Sequence, residues 1–380
     1  MPALRRSVIL ASIALIACGT STVPESTTGS NEGGGGSSGA FGEGAAGGSS
    51  GVGTSPGTGS SSGGSPTDGS THNDMDGGGS NPPPGPTQGP GADGAPNASD
   101  ASFDGSAPPV GADGGIILPV AQGTCPDFTN GVITMDVGGT SRSVTLSMDA
   151  TMVAAKHGPL ILYWYSTYHT PAEAQQALPV SQITAAGGIV AAPTHINSGQ
   201  FPWIGGMPGE IDKDYALADQ IVACAIQKVG IDTKHIHSNG FSAGALFTTF
   251  LSFKKSGYLA SVATYSGGLL DPPDGGPRPA PPPYDDPFNK FAAMIMTGGV
   301  LDTFPTSSGT ARFNIGSQNY QNTLKMDGHS AIYCDHGGGH SIPAGLVASV
   351  WQFFQDHSFG TNPSPYVAKG LPSGFTGCSL

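Results

Sequence analysis

From residue 116 onwards, short apolar runs alternate with stretches of helical periodicity. Val132 to Val137 and Ser143 to Met148 flank Gly138-Gly139, the pattern of an opening hairpin. Leu160 to Tyr165 is unbroken apolar sequence, as expected of a strand buried on both faces. Thr170, Pro171 and Glu173 have the spacing of an N-cap, N1 and N3, so a helix with a capping box is expected there. Gly188 to Ala192 predicts the next strand. Tyr215 to Val229 predicts an amphipathic helix with Ile221, Ala225 and Val229 on one face. His235 to Asn239 reads as a strand running into Gly240-Phe241-Ser242-Ala243-Gly244, followed by a helix from Ala245 to Lys255. Ala260 to Tyr265 and Ala292 to Thr297 predict two more buried strands. Asn319 to Asp327 predicts a helix, Ala331 to Cys334 a last strand and Ala344 to Asp356 a last helix. The proline-rich stretch Gly267 to Asn289 reads as a loop over the sheet edge. This alternation implies the α/β class: a mostly parallel sheet covered by helices on both faces, a three-layer sandwich. Sites in such sheets lie at the C-terminal ends of the strands.

Composition separates this part from what precedes it. Residues 19–115 contain 29 Gly, two aromatics (Phe41 and Phe103), ten acids and no Lys or Arg. Such a stretch has too little apolar surface to offset its ordering entropy and is expected to be a disordered linker. Residues 116–380 are long enough for one large domain with a core of its own. They carry 17 acids and 12 bases, so the chain's charge of −13 comes mostly from the linker. No basic cluster is present to displace counterions from a phosphate backbone, which argues against a nucleic-acid partner.

Residues 1–18 read as an export signal. Arg5 and Arg6 precede the apolar run Val8 to Ala17, which is too short to span a bilayer. Leu15-Ile16-Ala17-Cys18 resembles a bacterial lipobox, which implies cleavage before Cys18 and acylation of its thiol. By that resemblance Gly19 goes with outer-membrane sorting. The linker would then tether the domain to the membrane with an r.m.s. reach of about 55 Å. An exported protein meets an oxidising compartment, where Cys125, Cys224, Cys334 and Cys378 can pair. Four cysteines allow three connectivities. Cys334 with Cys378 is the preferred pair because it would secure the C-terminus, while Cys224, inside a helical pattern, is compatible with a buried thiol.

Gly240-x-Ser242-x-Gly244 lies between a strand and a helix, the context in which this pattern forms a nucleophile elbow. The glycines permit a tight turn that pushes the serine Oγ out of the sheet, and the helix start behind it supplies N–H groups. A serine hydroxyl needs a base, and His336-Gly337-Gly338-Gly339-His340 follows the last strand. His340, next to Ser341-Ile342-Pro343, is the chosen base and His336 the alternative. Zinc pairs usually come from a helix or knuckle, so the three glycines argue against reading Asp335, His336 and His340 as a metal set. Asp302, after the Gly298-Gly299 turn, is the carboxylate expected to orient the base, with Asp271 and Asp274 poorer candidates. The order Ser242, Asp302, His340 is that of α/β-hydrolases. No phosphate loop or metal set is present, and no cofactor is expected.

Ile236 to Gly244, Gly298-Gly299-x-x-Asp302 and Gly338-Gly339-His340-Ser341-Ile342-Pro343 resemble the polyhydroxybutyrate depolymerase and feruloyl esterase group of secreted α/β-hydrolases. The resemblance covers about Cys125 to Leu380. It implies cofactor-free ester hydrolysis with Ser242 as nucleophile, Asp302 as orienting acid and His340 as base. Members of that group usually have His-Gly after the third strand, where this chain has Tyr165-Ser166-Thr167. The oxyanion donors expected here are therefore the backbone N–H of Ala243 with that of Ser166 or Thr167. Trp203, Tyr168 and Phe201 follow strands and are candidates to stack an aromatic acyl group. His195 is a candidate to line the cleft, and His237 is expected to pack in the core. The expected substrate is an ester-bearing polymer or small ester, either a polyhydroxyalkanoate-type polyester or a feruloyl or acetyl ester of polysaccharide. A serine peptidase of the same fold and a catalytically silent surface-binding lipoprotein are the alternatives.

Overall fold

The structure is a computed structural model that describes residues 115–197, 199–204, 209–272 and 275–380. The expected signal segment with Cys18, nearly all of the expected linker, and Asp274 lie outside the described residues.

Among the described residues, nine strands form one sheet. In chain order these are β1 (Gly131–Val137), β2 (Thr140–Ser147), β3 (Leu160–Trp164), β4 (Ile189–Pro193), β5 (Ile236–Phe241), β6 (Ser261–Tyr265) and β7 (Ala292–Thr297), then β10 (Ser330–Asp335) and β11 (Cys378–Ser379). Between them, β8 (Thr303–Thr306) and β9 (Gly309–Arg312) form a separate antiparallel hairpin. The spatial order is β1-β2-β4-β3-β5-β6-β7-β10-β11. The block from β4 to β10 is parallel, while β1, β2 and β11 pair antiparallel at the edges.

The pattern of apolar residues explains this arrangement. β3 through β7 are buried at every position, as strands covered on both faces must be. Each Leu or Ile in β3 adds about 1.5–3 kcal/mol of burial free energy. The β1–β2 hairpin alternates instead, with Ile133, Met135, Val144 and Leu146 turned inwards. The helices are α1 (Ala150–Lys156), α2 (Ala174–Ala177), α3 (Val180–Ala185), α4 (Glu210–Lys228), α5 (Ala243–Lys254), α6 (Phe313–Met326), α7 (Val347–Asp356) and α8 (Pro365–Lys369). Helix α5 is buried almost all round and packs against β3, β5 and β6. Among the described residues, no helix is long and apolar enough to cross a membrane.

Several elements differ from expectation. Helices α4 and α6 begin five and six residues before the periodic apolar pattern that predicted them. Helices α1, α3 and α8, the β8–β9 hairpin and strand β11 were not expected. The capping box does not form. Thr170 makes no side-chain cap bond, and Pro171–Glu173 is a 3-10 turn with Glu173 buried. That carboxylate is turned inwards by polar groups around the end of β3, which would otherwise be buried without partners.

Two disulfides close the domain. Cys125 pairs with Cys224, tying the segment before β1 to α4, so Cys224 is not a free buried thiol. Cys334 pairs with Cys378 across β10 and β11. Loops of 99 and 44 residues are restrained in this way, worth about 5 and about 4 kcal/mol respectively in the chain-entropy view. Two such bonds mark an extracytoplasmic protein.

One inward position of β2 is charged. Arg142 is 1% exposed and donates from Nη2 to Asp214 of α4 at 2.6 Å, with Asp214 itself 2% exposed. Removing one partner strands the other charge in the interior. Asp214→Leu is therefore expected to lower unfolding free energy by about 3–5 kcal/mol in urea titrations. A loss below about 1 kcal/mol would mean that water reaches the guanidinium.

Candidate active site

Strand β5 ends at Phe241, and α5 begins at Ala243, so Ser242 has no room for a loop. Its backbone sits at φ 54° and ψ −118°, a conformation that ordinary residues avoid. The two flanking glycines allow the turn by close approach. A Cβ on Gly240 would lie 2.5 Å from the Gly244 carbonyl, and one on Gly244 would lie 1.8 Å from the Trp164 carbonyl oxygen. The elbow is thus pressed against the end of β3.

His340 arrives from the loop after β10, and Asp302 from the turn after β7. These two loops also touch: a Cβ on Gly298 would lie 1.8 Å from the Gly339 carbonyl oxygen. The contact brings His340 Nδ1 to 2.8 Å from Asp302 Oδ1, and His340 Nε2 to 2.9 Å from Ser242 Oγ. An ionised carboxylate only accepts, so Nδ1 carries the proton and the Nε2 lone pair faces the serine hydroxyl. Asp302 is fully buried. Burial pushes its carboxyl up, but hydrogen bonds from His340, the Gly298 N–H and the Thr297 hydroxyl outweigh it and hold it below its ordinary range. Its charge is thereby kept where an imidazolium would form.

Three phenylalanines fix the imidazole. Phe313 stacks on it at 4.5 Å between centroids, Phe241 lies at 5.0 Å and Phe304 at 5.9 Å. Sequence reasoning did not find this cage. Its signal was Phe304, two residues after Asp302 in β8, and Phe313, directly after β9.

The other expected residues divide. Thr167 and Ser166 lie in the loop after β3, as expected, but the Ser166 N–H donates to Glu173 Oε1 at 2.9 Å and is not free for an oxyanion. The Thr167 and Ala243 N–H groups are bonded to no acceptor among the described residues. Trp203 is fully buried, donates from Nε1 to the Tyr165 carbonyl at 2.7 Å, and packs edge-on against Trp164 and Tyr165. It is a core residue and no stacking platform. Tyr168 is 78% exposed on the surface beside the loop. Phe201 borders an apolar cleft of about 230 Å³ with Leu270, Pro279 and Ala311. His195 packs on Tyr165 and Trp203, and burial pushes its pKa down. His237 is buried against Phe354 and bonded to Ser261. His336 touches neither Ser242 nor Asp302; its Nδ1 accepts from Gly338 N–H.

A second cavity, of about 580 Å³, is lined by His340 itself together with His169, Glu173, Gln176, Phe241 and Ser341. Ser242 is 5% exposed and the His340 side chain 17% exposed, so the site is covered but reachable.

No protein-family model matches the sequence, and no curated protein matches it. Among solved structures, the chain is similar to native pOPH at 15% identity and a TM-score of 0.54, over 67% of this chain and 96% of that one. It is similar to native sOPH at 16% identity and a TM-score of 0.53, over 69% and 96%. The likeness in fold, the strand order and the parallel block from β4 to β10 lead to one structural conclusion: the described residues have the α/β-hydrolase fold.

Proposed function

We propose that the protein is an extracytoplasmic serine esterase working through an acyl-enzyme. The observation that carries this reading is the hydrogen-bonded series Asp302–His340–Ser242, ending on a serine held at positive φ. His340 Nε2 takes the hydroxyl proton as Ser242 Oγ attacks the ester carbonyl carbon. The carbonyl oxygen becomes an oxyanion that accepts from Ala243 N–H and Thr167 N–H. Collapse breaks the bond to the alcohol oxygen, which takes the proton back from His340. Water, deprotonated by His340, then cleaves the acyl-serine ester and releases the acid. Because His340 protonates the leaving oxygen, the alcohol occupies the cavity beside it.

The substrate class we favour is an ester-bearing polymer, either a polyhydroxyalkanoate-type polyester or a feruloylated or acetylated polysaccharide. Support comes from the sequence resemblance and from the cavity of about 580 Å³ that His340 lines. The lipobox-like segment ending at Cys18 supports anchoring at a membrane. The test is hydrolysis of p-nitrophenyl acetate and butyrate by the full chain beside a p-nitroanilide, then of polyhydroxybutyrate beside feruloylated xylan. Ester turnover well above anilide turnover is expected. Preference for the anilide would make the protein a peptidase, and no turnover by a folded sample would remove the enzymatic reading.

A further inference from the structure

Glu173 is a buried carboxylate that the mechanism above does not use. It is 3% exposed, yet it lies at the wall of the cavity beside His340. Its Oε1 accepts from the Tyr163 hydroxyl at 2.8 Å and from Ser166 N–H at 2.9 Å. Its Oε2 accepts from the Ser166 hydroxyl at 2.5 Å and from His169 Nδ1 at 2.7 Å. One carboxylate therefore holds the last part of β3 and both ends of the turn 166–169. Within that turn, the Thr167 hydroxyl is fixed separately to the Gln200 carbonyl.

The arrangement has a consequence for the neighbouring N–H. Ser166 N–H is drawn to Glu173, whereas Thr167 N–H is left without an acceptor among the described residues. The same loop begins at Tyr165, whose carbonyl oxygen would lie 2.8 Å from a Cβ on Gly244, in the first turn of α5. The free donor thus belongs to a loop packed against the elbow that supplies Ala243 N–H.

We propose that Glu173 is a positioning residue: by holding Ser166 and His169 it presents Thr167 N–H as the second oxyanion donor. This rests on the esterase reading above. It also accounts for how this chain dispenses with glycine in the loop after β3. A side-chain carboxylate, donated from the following turn, imposes the loop conformation that a flexible backbone would otherwise have to find. Preorganised donors stabilise the transition state more than the ground state, so the effect falls on kcat.

The test compares the full chain with Glu173→Ala and Glu173→Gln. The readouts are kcat and KM for p-nitrophenyl butyrate and the affinity of a trifluoromethyl ketone, which forms a tetrahedral adduct with Ser242. Loss of one oxyanion donor corresponds to about a 10²–10³-fold fall in kcat. Glu173→Ala is expected to approach that, with KM changed less than about threefold and ketone affinity weakened in parallel with kcat. Glu173→Gln keeps an acceptor for Ser166 N–H but loses the one for the Ser166 hydroxyl and His169 Nδ1, so it should recover about tenfold of the lost kcat and still fall short of the wild type. If the alanine variant does not fold, the glutamine variant decides by the same split, with kcat down and KM held. A folded variant with wild-type kcat, or one in which only KM rises, overturns the proposal while leaving the esterase reading intact. Absence of ester turnover in the wild type would remove that reading, and this inference with it.

Discussion

Asp302→Asn is expected to lower kcat/KM for p-nitrophenyl butyrate about 10⁴-fold, with the fold retained. The surroundings of the carboxylate dictate why. Asp302 Oδ2 accepts from both the Thr297 hydroxyl and Gly298 N–H. An asparagine must direct its single carbonyl oxygen to those two donors, which leaves its NH₂ facing His340 Nδ1. The imidazole would then hold its proton on Nε2, where it points at Ser242 and cannot accept the hydroxyl proton. The same substitution carries a pH signature. Because the folded Asp302 carboxyl lies below its ordinary value of 3.8, its ionisation stabilises the fold fully above that pH. The contribution is lost as pH falls through the lower folded value. The stability gap between wild type and Asp302→Asn should therefore narrow below about pH 3.8, measured by thermal melts in acid. A gap that widens in acid would mean that the carboxyl is protonated in the fold.

Ser242→Gly should separate activity from stability. Loss of the hydroxyl removes the nucleophile, and the rate on esters is expected to fall by on the order of 10⁴–10⁶. The folded protein should nevertheless become more stable by about 1 kcal/mol, because glycine adopts φ 54° and ψ −118° without the clash that a Cβ imposes. Ser242→Ala keeps that Cβ and should lose activity equally without the gain in melting temperature. Equal stability of the two variants would show that the elbow is unstrained, and retained ester turnover would show that Ser242 is no nucleophile.

The parts of this molecule set by local pattern were legible in the sequence. The continuous apolar runs at Leu160, Ala260 and Ala292 gave buried strands at those places, and Gly138-Gly139 gave the hairpin turn. Ser242, Asp302 and His340 were named from the ends of strands, and the fold brings their side chains within hydrogen-bond distance. What was misread depended on side-chain contacts that the local pattern does not show. Thr170-x-x-Glu173 has the spacing of a capping box, but the buried hydroxyl of Tyr163 and the N–H of Ser166 claim the carboxylate. Trp203 stands in a loop sequence, yet the cavity between Trp164, Tyr165 and Phe247 encloses it. The β8–β9 hairpin was not read at all, and β8 contains Pro305, a residue that cannot donate to a strand ladder. The proline is accommodated because β8 pairs only with β9 and has a free edge. Strand β11 is two residues long and is joined to β10 by the Cys334–Cys378 disulfide; the cysteine pair was legible, but no apolar pattern announces the strand.

The central claim is that Ser242 is a nucleophile activated by His340. Its most direct test is to treat the folded full chain with a fluorophosphonate and locate the adduct by peptide mass spectrometry. The account predicts one stoichiometric adduct, on Ser242, absent from Ser242→Ala and slowed by orders of magnitude in His340→Ala. A folded wild-type protein left unlabelled, or labelled on another serine, would contradict it.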